Sequence, residues 1–177
     1  MASIIGVETL QHTNGTTAAT IGSGGAISPK IVSFQVRAVN VDQAYTSGSS
    51  DVVQYNNVDL DTESGWDATN HRYTASVAGW YMLSAGCRVL QGAHTSYNQL
   101  SIVRNSSSDP AKLHAIRLQL QYTGNNLTHS MLGTPTGMIH LDSGDWVNVL
   151  FGSAQNATLN DATNIAAMFC GFLVKSD

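Results

Sequence analysis

Asp59, Asp61 and Glu63 place carboxylates at alternate positions, followed by Gly65 and Asp67, and this is the densest run of hard oxygen ligands in the chain. Calcium takes several such oxygens, so the spacing could let backbone and side-chain groups converge on one ion. An EF-hand loop would require Gly at its sixth position and a bidentate Glu at its twelfth, where this chain has Ser64 and Asn70. A solvated acidic loop is therefore the preferred reading, with calcium as the lesser one. The histidines, His12, His71, His94, His114, His129 and His140, are spread out, with no pair at helix or strand spacing beside a third ligand. They read as separate surface or turn imidazoles. No Gly-x-Ser-x-Gly elbow is present, and only two Glu exist to share acid and base work with the aspartates. Gly22-Ser23-Gly24-Gly25 lacks the Lys of a phosphate-cradling loop. The expectation is a protein that is not an enzyme, with no catalytic residues and no cofactor. Cys87 and Cys170 lie in two distant apolar stretches without a zinc-ligand pattern, leaving two buried thiols or a cross-sheet disulfide as the open alternatives.

Charge narrows the partners. The net charge is -4 and the eight Lys and Arg are scattered singly, so the basic stripe of a nucleic-acid binder is missing. No apolar run approaches the ~20 residues that span a bilayer, which argues against membrane insertion. The start, Met1 to Gly6, lacks the basic and long apolar segments of a signal peptide, and use without Sec export is expected.

The elements that must carry these residues are strands. Charged residues are only 11%, while Thr, Ser, Asn, Gly and Val are plentiful. Arg72 to Leu83 reads as a strand, a tight turn at Ala78-Gly79, and a more apolar strand. Further strands are read at 31–39, 51–55, 71–76, 79–90, 97–104, 115–122, 128–131, 136–140, 145–152 and 165–174. Ile116, Leu118 and Leu120 alternate with Arg117, Gln119 and Gln121, giving one wet face, whereas Trp146 to Phe151 is apolar on both. Residues 1–30 differ: turn-rich and with sparse apolar positions, they read as an attachment arm whose short runs, such as 17–21, order as strands against a partner. Residues 31–177 then form the head. The fold class is all-β: a jelly-roll β-sandwich of roughly eight to ten antiparallel strands with an extended amino-terminal arm.

Three segments in order carry a family resemblance. Tyr73-Thr74-Ala75-Ser76-Val77-Ala78-Gly79-Trp80-Tyr81-Met82-Leu83 resembles the aromatic, turn, aromatic motif of the complement C1q globular head. Leu141 to Val147 is similar to that family's Leu-x-x-Gly-Asp-x-Val, and Phe169-Cys170-Gly171-Phe172-Leu173 to its closing Phe-x-Gly-Phe-Leu strand. Ser76 and Ala78 stand where the family has turn prolines, and its Tyr-Asn pair falls earlier, at Tyr55-Asn56. The resemblance implies a jelly roll of the tumour-necrosis-factor type and a homotrimer, with some two-sided apolar strands in the interface. Val7 to Ile21 resembles the amino-terminal segment of tailed-phage virion proteins that precedes this same head.

These resemblances imply a non-enzymatic bacteriophage virion structural protein, assembled in the bacterial host cytoplasm. The expected form is a homotrimeric capsid decoration or cement protein gripping the major capsid protein or other virion proteins through Ile4, Ile5, Val7, Leu10, Ile21 and Ile27. Tyr73, Trp80, Tyr81, Trp146, Phe169 and Phe172 are expected in the core or trimer seam. Tyr45, Trp66 and Tyr97, near loop ends, are candidate recognition residues. The alternative is a tail-fibre or spike tip binding a host-surface receptor or glycan through loops such as 59–67, 91–97 and 105–110.

Overall fold

The computed structural model describes residues 8–11, 13, 15, 17–40, 42–90, 97–106, 108, 116–121, 130–132, 134–160 and 165–177. In chain order the strands are β1 (Thr9–Gln11), β2 (Thr17–Ile21), β3 (Ile27–Pro29), β4 (Ser33–Val39), β5 (Asp42–Tyr45), β6 (Ser50–Val52), β7 (Asn57–Asp61), β8 (Trp66–Asp67) and β9 (Arg72–Thr74). They continue with β10 (Gly79–Leu90), β11 (Tyr97–Arg104), β12 (Ile116–Gln121), β13 (Ser130–Leu132), β14 (Thr136–Leu141), β15 (Trp146–Ser153), β16 (Ala157–Asn160) and β17 (Ile165–Ser176). All of their pairings are antiparallel.

The chain divides into two compact units, residues 1–31 and 32–177. In the first, β1, β2 and β3 pair with one another as a three-stranded sheet. The short run 17–21, expected to need a partner before ordering, instead finds its hydrogen bonds within this unit. Ala19 is buried there, while Leu10 and Ile27 remain exposed.

The second unit is built from an eight-stranded sheet, ordered β5-β16-β10-β17-β4-β7 with β13 and β14 also on β10, and a six-stranded sheet, ordered β12-β11-β15-β9-β8 with β6 on β15. Alternation explains the core between them: Phe34, Val36 and Ala38 of β4, and Tyr81, Leu83, Ala85, Cys87 and Val89 of β10, point inward at every second position and are buried. They meet Leu100, Ile102, Val147, Val149 and Phe151 from the facing sheet. Phe34 is the hub of an aromatic cluster, stacked on Tyr73 at 4.0 Å and edge-on to Phe169 at 4.9 Å. Such pairs are worth about 0.5–1.5 kcal/mol beyond the area they bury.

One sequence reading is refined here and one corrected. The two strands read in Arg72 to Leu83 are present but do not pair with each other, because β9 belongs to the six-stranded sheet and β10 to the eight-stranded one. The intervening residues cross between the layers, pinned by the Ala75 amide donating to the Asp145 carbonyl at 2.8 Å and the Tyr81 hydroxyl donating to the Val77 carbonyl at 2.7 Å. Gly79 makes the crossing possible. Its φ is +151°, and a Cβ there would lie 2.2 Å from the Lys175 carbonyl oxygen, so only glycine fits. Likewise the start of the supposed acidic loop, Asp59 to Asp61, lies in β7 on the edge of the eight-stranded sheet.

Candidate interaction surface

The eight-stranded sheet turns several apolar side chains away from the core. Register sets it up: Met138 of β14 pairs with Met82 of β10, which pairs with Phe172 of β17, so their side chains form one row across three strands. Trp80 stands at one end of this face and Met168 at the other. Met138 is 48% exposed, Phe172 47% and Trp80 41%. Leu60, on edge strand β7 opposite Gln35, adds a further exposed apolar side chain. Exposed apolar side chains gathered on one face make this sheet the candidate interaction surface.

The polar groups at its margin are neutralised locally. Arg37 forms an ion pair with Asp59, which also accepts from Gln35 and Asn57. The hydrogen bond from Arg37 is the main cause that lowers the Asp59 pKa below the usual carboxylate range. Asp61 is used differently, accepting from the amides of Gly65 at 3.1 Å and Trp66 at 2.8 Å. Asp67 accepts from the Asn70 side chain and the Thr69 and Asn70 amides, which together hold its carboxyl low. The calcium reading is corrected accordingly: Asp59 serves the outer face of the sheet and Asp61 the turn after β7, so with Glu63 they do not converge on one ion. Among the described residues, the His, Cys, Asp and Glu side chains grouped closely enough to share an ion are His140, Asp142 and Asp177. No spacing in the sequence announces this group, because Asp177 is brought to His140 only by strand pairing.

The remaining candidates separate cleanly. Tyr73, Tyr81 and Phe169 are fully buried in the core. Phe172 and Trp80 belong to the exposed face. Trp146 does neither: its backbone neighbour Val147 faces the core, so Trp146 points to the outer side of the six-stranded sheet, where the Arg72 guanidinium lies 5.0 Å from its ring centroid. Tyr45 is turned largely inward and also lines the concavity beside β5 and β6. It is 5% exposed in β5, edge-on to Phe151 at 4.8 Å, with its hydroxyl donating to Gln43 at 2.9 Å. Burial pushes its phenol pKa far above the ordinary value. Trp66 is also turned inward, packing on Phe34, Tyr55 and Phe169. Tyr97 stays exposed at the start of β11. Ile4, Ile5 and Val7 lie outside the described residues, as do the loop 91–96, His12, His94, His114 and His129.

The apolar outer side of β15, expected to meet a partner, is already covered within the chain: Leu150 is 1% exposed and its cross-strand neighbour Ser101 0%. The cysteines do not pair. Cys87 points into the core, whereas Cys170 shares the outer face with Gln35 and Ser84, so the sheet itself separates them. Burial raises both thiol pKa values.

A concavity of about 620 Å³ opens beside β5 and β6 and is lined by Asp42, Gln43, Tyr45, Asp51, Gln54 and His71, among others.

The motif Leu141 to Val147 now has a physical basis. Gly144 takes a φ of +93°, the Asp142 amide donates to the Asp145 carboxylate at 2.8 Å, and Asn105 and Arg104 bind the same carboxylate at 2.6 and 2.7 Å. Burial alone would raise the Asp145 pKa; these bonds outweigh it and lower it. One side chain thus ties the β14–β15 turn to the end of β11.

The C1q domain family model matches residues 33–174. The chain belongs to the C1q domain family. Among solved structures it is similar to the globular domain of zebrafish complement 1qA protein, at 14% identity and a TM-score of 0.57, covering 83% of this chain and 99% of that one. It is also similar to murine APRIL, at 12% identity and a TM-score of 0.57, covering 82% of this chain and 100% of that one. At these identities the likeness establishes the fold, a jelly roll of the C1q and tumour-necrosis-factor type. No curated protein matches the chain. C1q and tumour-necrosis-factor-like domains are non-enzymatic binding domains that typically form homotrimers.

Proposed function

We propose that this chain is a homotrimeric structural protein of a bacteriophage virion, a decoration or cement protein carried on the outer capsid by residues 1–31. The observation that carries the self-association is the Met138, Met82 and Phe172 row, exposed at Met138 and Phe172 and half-buried at Met82, an apolar face of the kind that copies of a jelly roll can bury against one another. The attachment role rests on the separate amino-terminal sheet, with Leu10 and Ile27 exposed, and on the resemblance of Val7 to Ile21 to phage virion segments. Trimeric presentation would multiply weak individual contacts through effective concentration. Partners are then other copies of this chain and the capsid shell, and the location is the virion, assembled in the host cytoplasm.

The polar cleft beside β5 and β6 favours a second reading, a fibre or spike tip binding host-surface glycan. Its carboxylates, amides and imidazole are the groups that hydrogen-bond sugar hydroxyls.

Co-sedimentation of purified protein with mature empty capsids and, separately, with host cells tests both. Saturable capsid binding, lost when residues 1–31 are deleted, supports decoration. Binding to cells alone overturns it in favour of the receptor reading.

A further inference from the structure

At the end of the apolar face, β14 and β17 finish on either side of β10. His140 and Lys175 are both cross-strand partners of Trp80. The Asp177 amide donates to the Ala78 carbonyl at 3.3 Å, and both Asp177 carboxylate oxygens lie beside His140 Nε2, at 3.0 and 3.1 Å. On the other edge of the ring, Asp142 Oδ1 is 3.9 Å from Nδ1. One ligand atom from each of the three residues lies within 4.8 Å of the other two.

We propose that His140, Asp142 and Asp177 bind a divalent transition-metal ion of the zinc, cobalt or nickel kind. The donor set decides the class. One imidazole nitrogen with two carboxylates suits these borderline ions, whereas calcium takes about six to eight oxygens and has little use for nitrogen. The two carboxylates supply the charge that neutralises a divalent cation.

Spacing decides feasibility: bonds of about 2.0–2.2 Å place neighbouring ligands roughly 3.0–3.5 Å apart, so ligand atoms now within 4.8 Å of one another must draw closer, and the imidazole, flanked by Asp177 at Nε2 and Asp142 at Nδ1, must turn to present one nitrogen to both carboxylates. All three are reachable from solvent, with side chains 30%, 66% and 56% exposed for His140, Asp142 and Asp177.

The supporting shell is already in place. The ring of Trp80 lies edge-on to His140 at 5.4 Å. Arg104 donates to the His140 carbonyl at 2.9 Å and to the Asp142 carboxylate at 3.1 Å. Such outer partners orient ligands. Arg104 also brings positive charge beside Asp142, which Asp145 offsets. A bound ion would clamp the end of β17 to β14 across β10.

The test is a calorimetric titration of untagged full-length protein with zinc chloride near neutral pH, paired with tryptophan fluorescence during titration with cobalt or nickel. One ion per chain should bind, the fluorescence should fall because Trp80 adjoins the site, and calcium should give no heat. His140→Ala and Asp177→Asn should each weaken binding about tenfold or more. Trp80→Phe should keep the heat and lose most of the quenching. Zinc should raise the melting temperature of the parent protein and of Trp80→Phe but not that of His140→Ala. No saturable heat at millimolar zinc, or unchanged binding in both His140→Ala and Asp177→Asn, overturns the proposal and leaves the cluster as an ion-pair clamp.

Discussion

Tyr55 and Tyr81 are both buried, yet their hydroxyls do opposite things. The Tyr81 hydroxyl donates to the Val77 carbonyl at 2.7 Å, while the buried Tyr55 hydroxyl has no hydrogen-bond partner among the described residues. A net hydrogen bond is worth about 1 kcal/mol, but an unsatisfied buried polar atom is a cost. Tyr81→Phe should therefore destabilise by roughly 1 kcal/mol, and Tyr55→Phe should be neutral or stabilising, both read from urea denaturation midpoints. An equal loss in both variants would sink this distinction. The same burial has a pH consequence. Tyr45, Tyr55 and Cys87 all have pKa values raised by desolvation, so the unfolded chain loses these protons first as pH rises. Stability should hold below the unfolded thiol value of about 8.5 and fall progressively above it, most steeply past the unfolded phenol value near 10. Melting temperatures that stay flat up to about pH 11 would contradict it. At this scale the sequence was informative where a side chain acts locally. Gly144 and Asp145 announce a polar turn and form one. It misled at Tyr45, whose flanking Ser, Thr and Gly suggest a loop end, while pairing of β5 with β16 takes the ring into the core.

Among the elements, β17 carries the most: it pairs with β10 on one side and β4 on the other. Gly171 sits where its inward face must be thin, because an added Cβ would come within 2.4 Å of Leu83 and 2.8 Å of Phe34. Gly171→Ala should cost roughly 1–3 kcal/mol by overpacking. Phe169→Ala, which empties the aromatic cluster, should cost about 3–5 kcal/mol. A Gly171→Ala variant as stable as the parent would show that Leu83 can swing clear. Long strands were legible because they carry their own pattern: β10, β11, β15 and β17 each run long enough for inward and outward sets to repeat. The short ones, β5, β7 and β16, were not, since four or five residues show no reliable period and pairing supplied by the rest of the sheet decides their state. The same limit hid the layer crossing after β9. A strand, a turn and a strand look alike whether the two strands pair or diverge.

For the molecule as a whole, apolar runs in the sequence do not by themselves locate the exposed face. Trp146 to Phe151 is rich in apolar side chains on both sides, but Leu150 is already buried within the chain. The exposed face is assembled instead from residues on different strands: Met138, Met82 and Phe172 come from three segments, and only the register aligns them. If copies of the chain associate through this face, charge placed at its centre must be desolvated without a partner, at a cost large enough to dissociate an assembly. Phe172→Asp combined with Met138→Asp, two like charges on strands separated by β10, should therefore reduce the mass by light scattering at micromolar concentration from that of a trimer to the 18.8 kDa of one chain. The fold should survive, because both side chains point away from the core, and an unchanged far-ultraviolet circular dichroism spectrum would verify that. Gln119→Glu, on the outer side of the six-stranded sheet, is the matched control and should leave the trimer intact. A parent protein that is already a monomer would overturn the trimer itself, and a double variant that remains a trimer would move the interface off this sheet. Removing residues 1–31 separates the two units' roles: the truncated head should keep its trimeric mass while losing capsid attachment. If it instead falls to a monomer, the amino-terminal sheet, and not the methionine and phenylalanine row, holds the copies together.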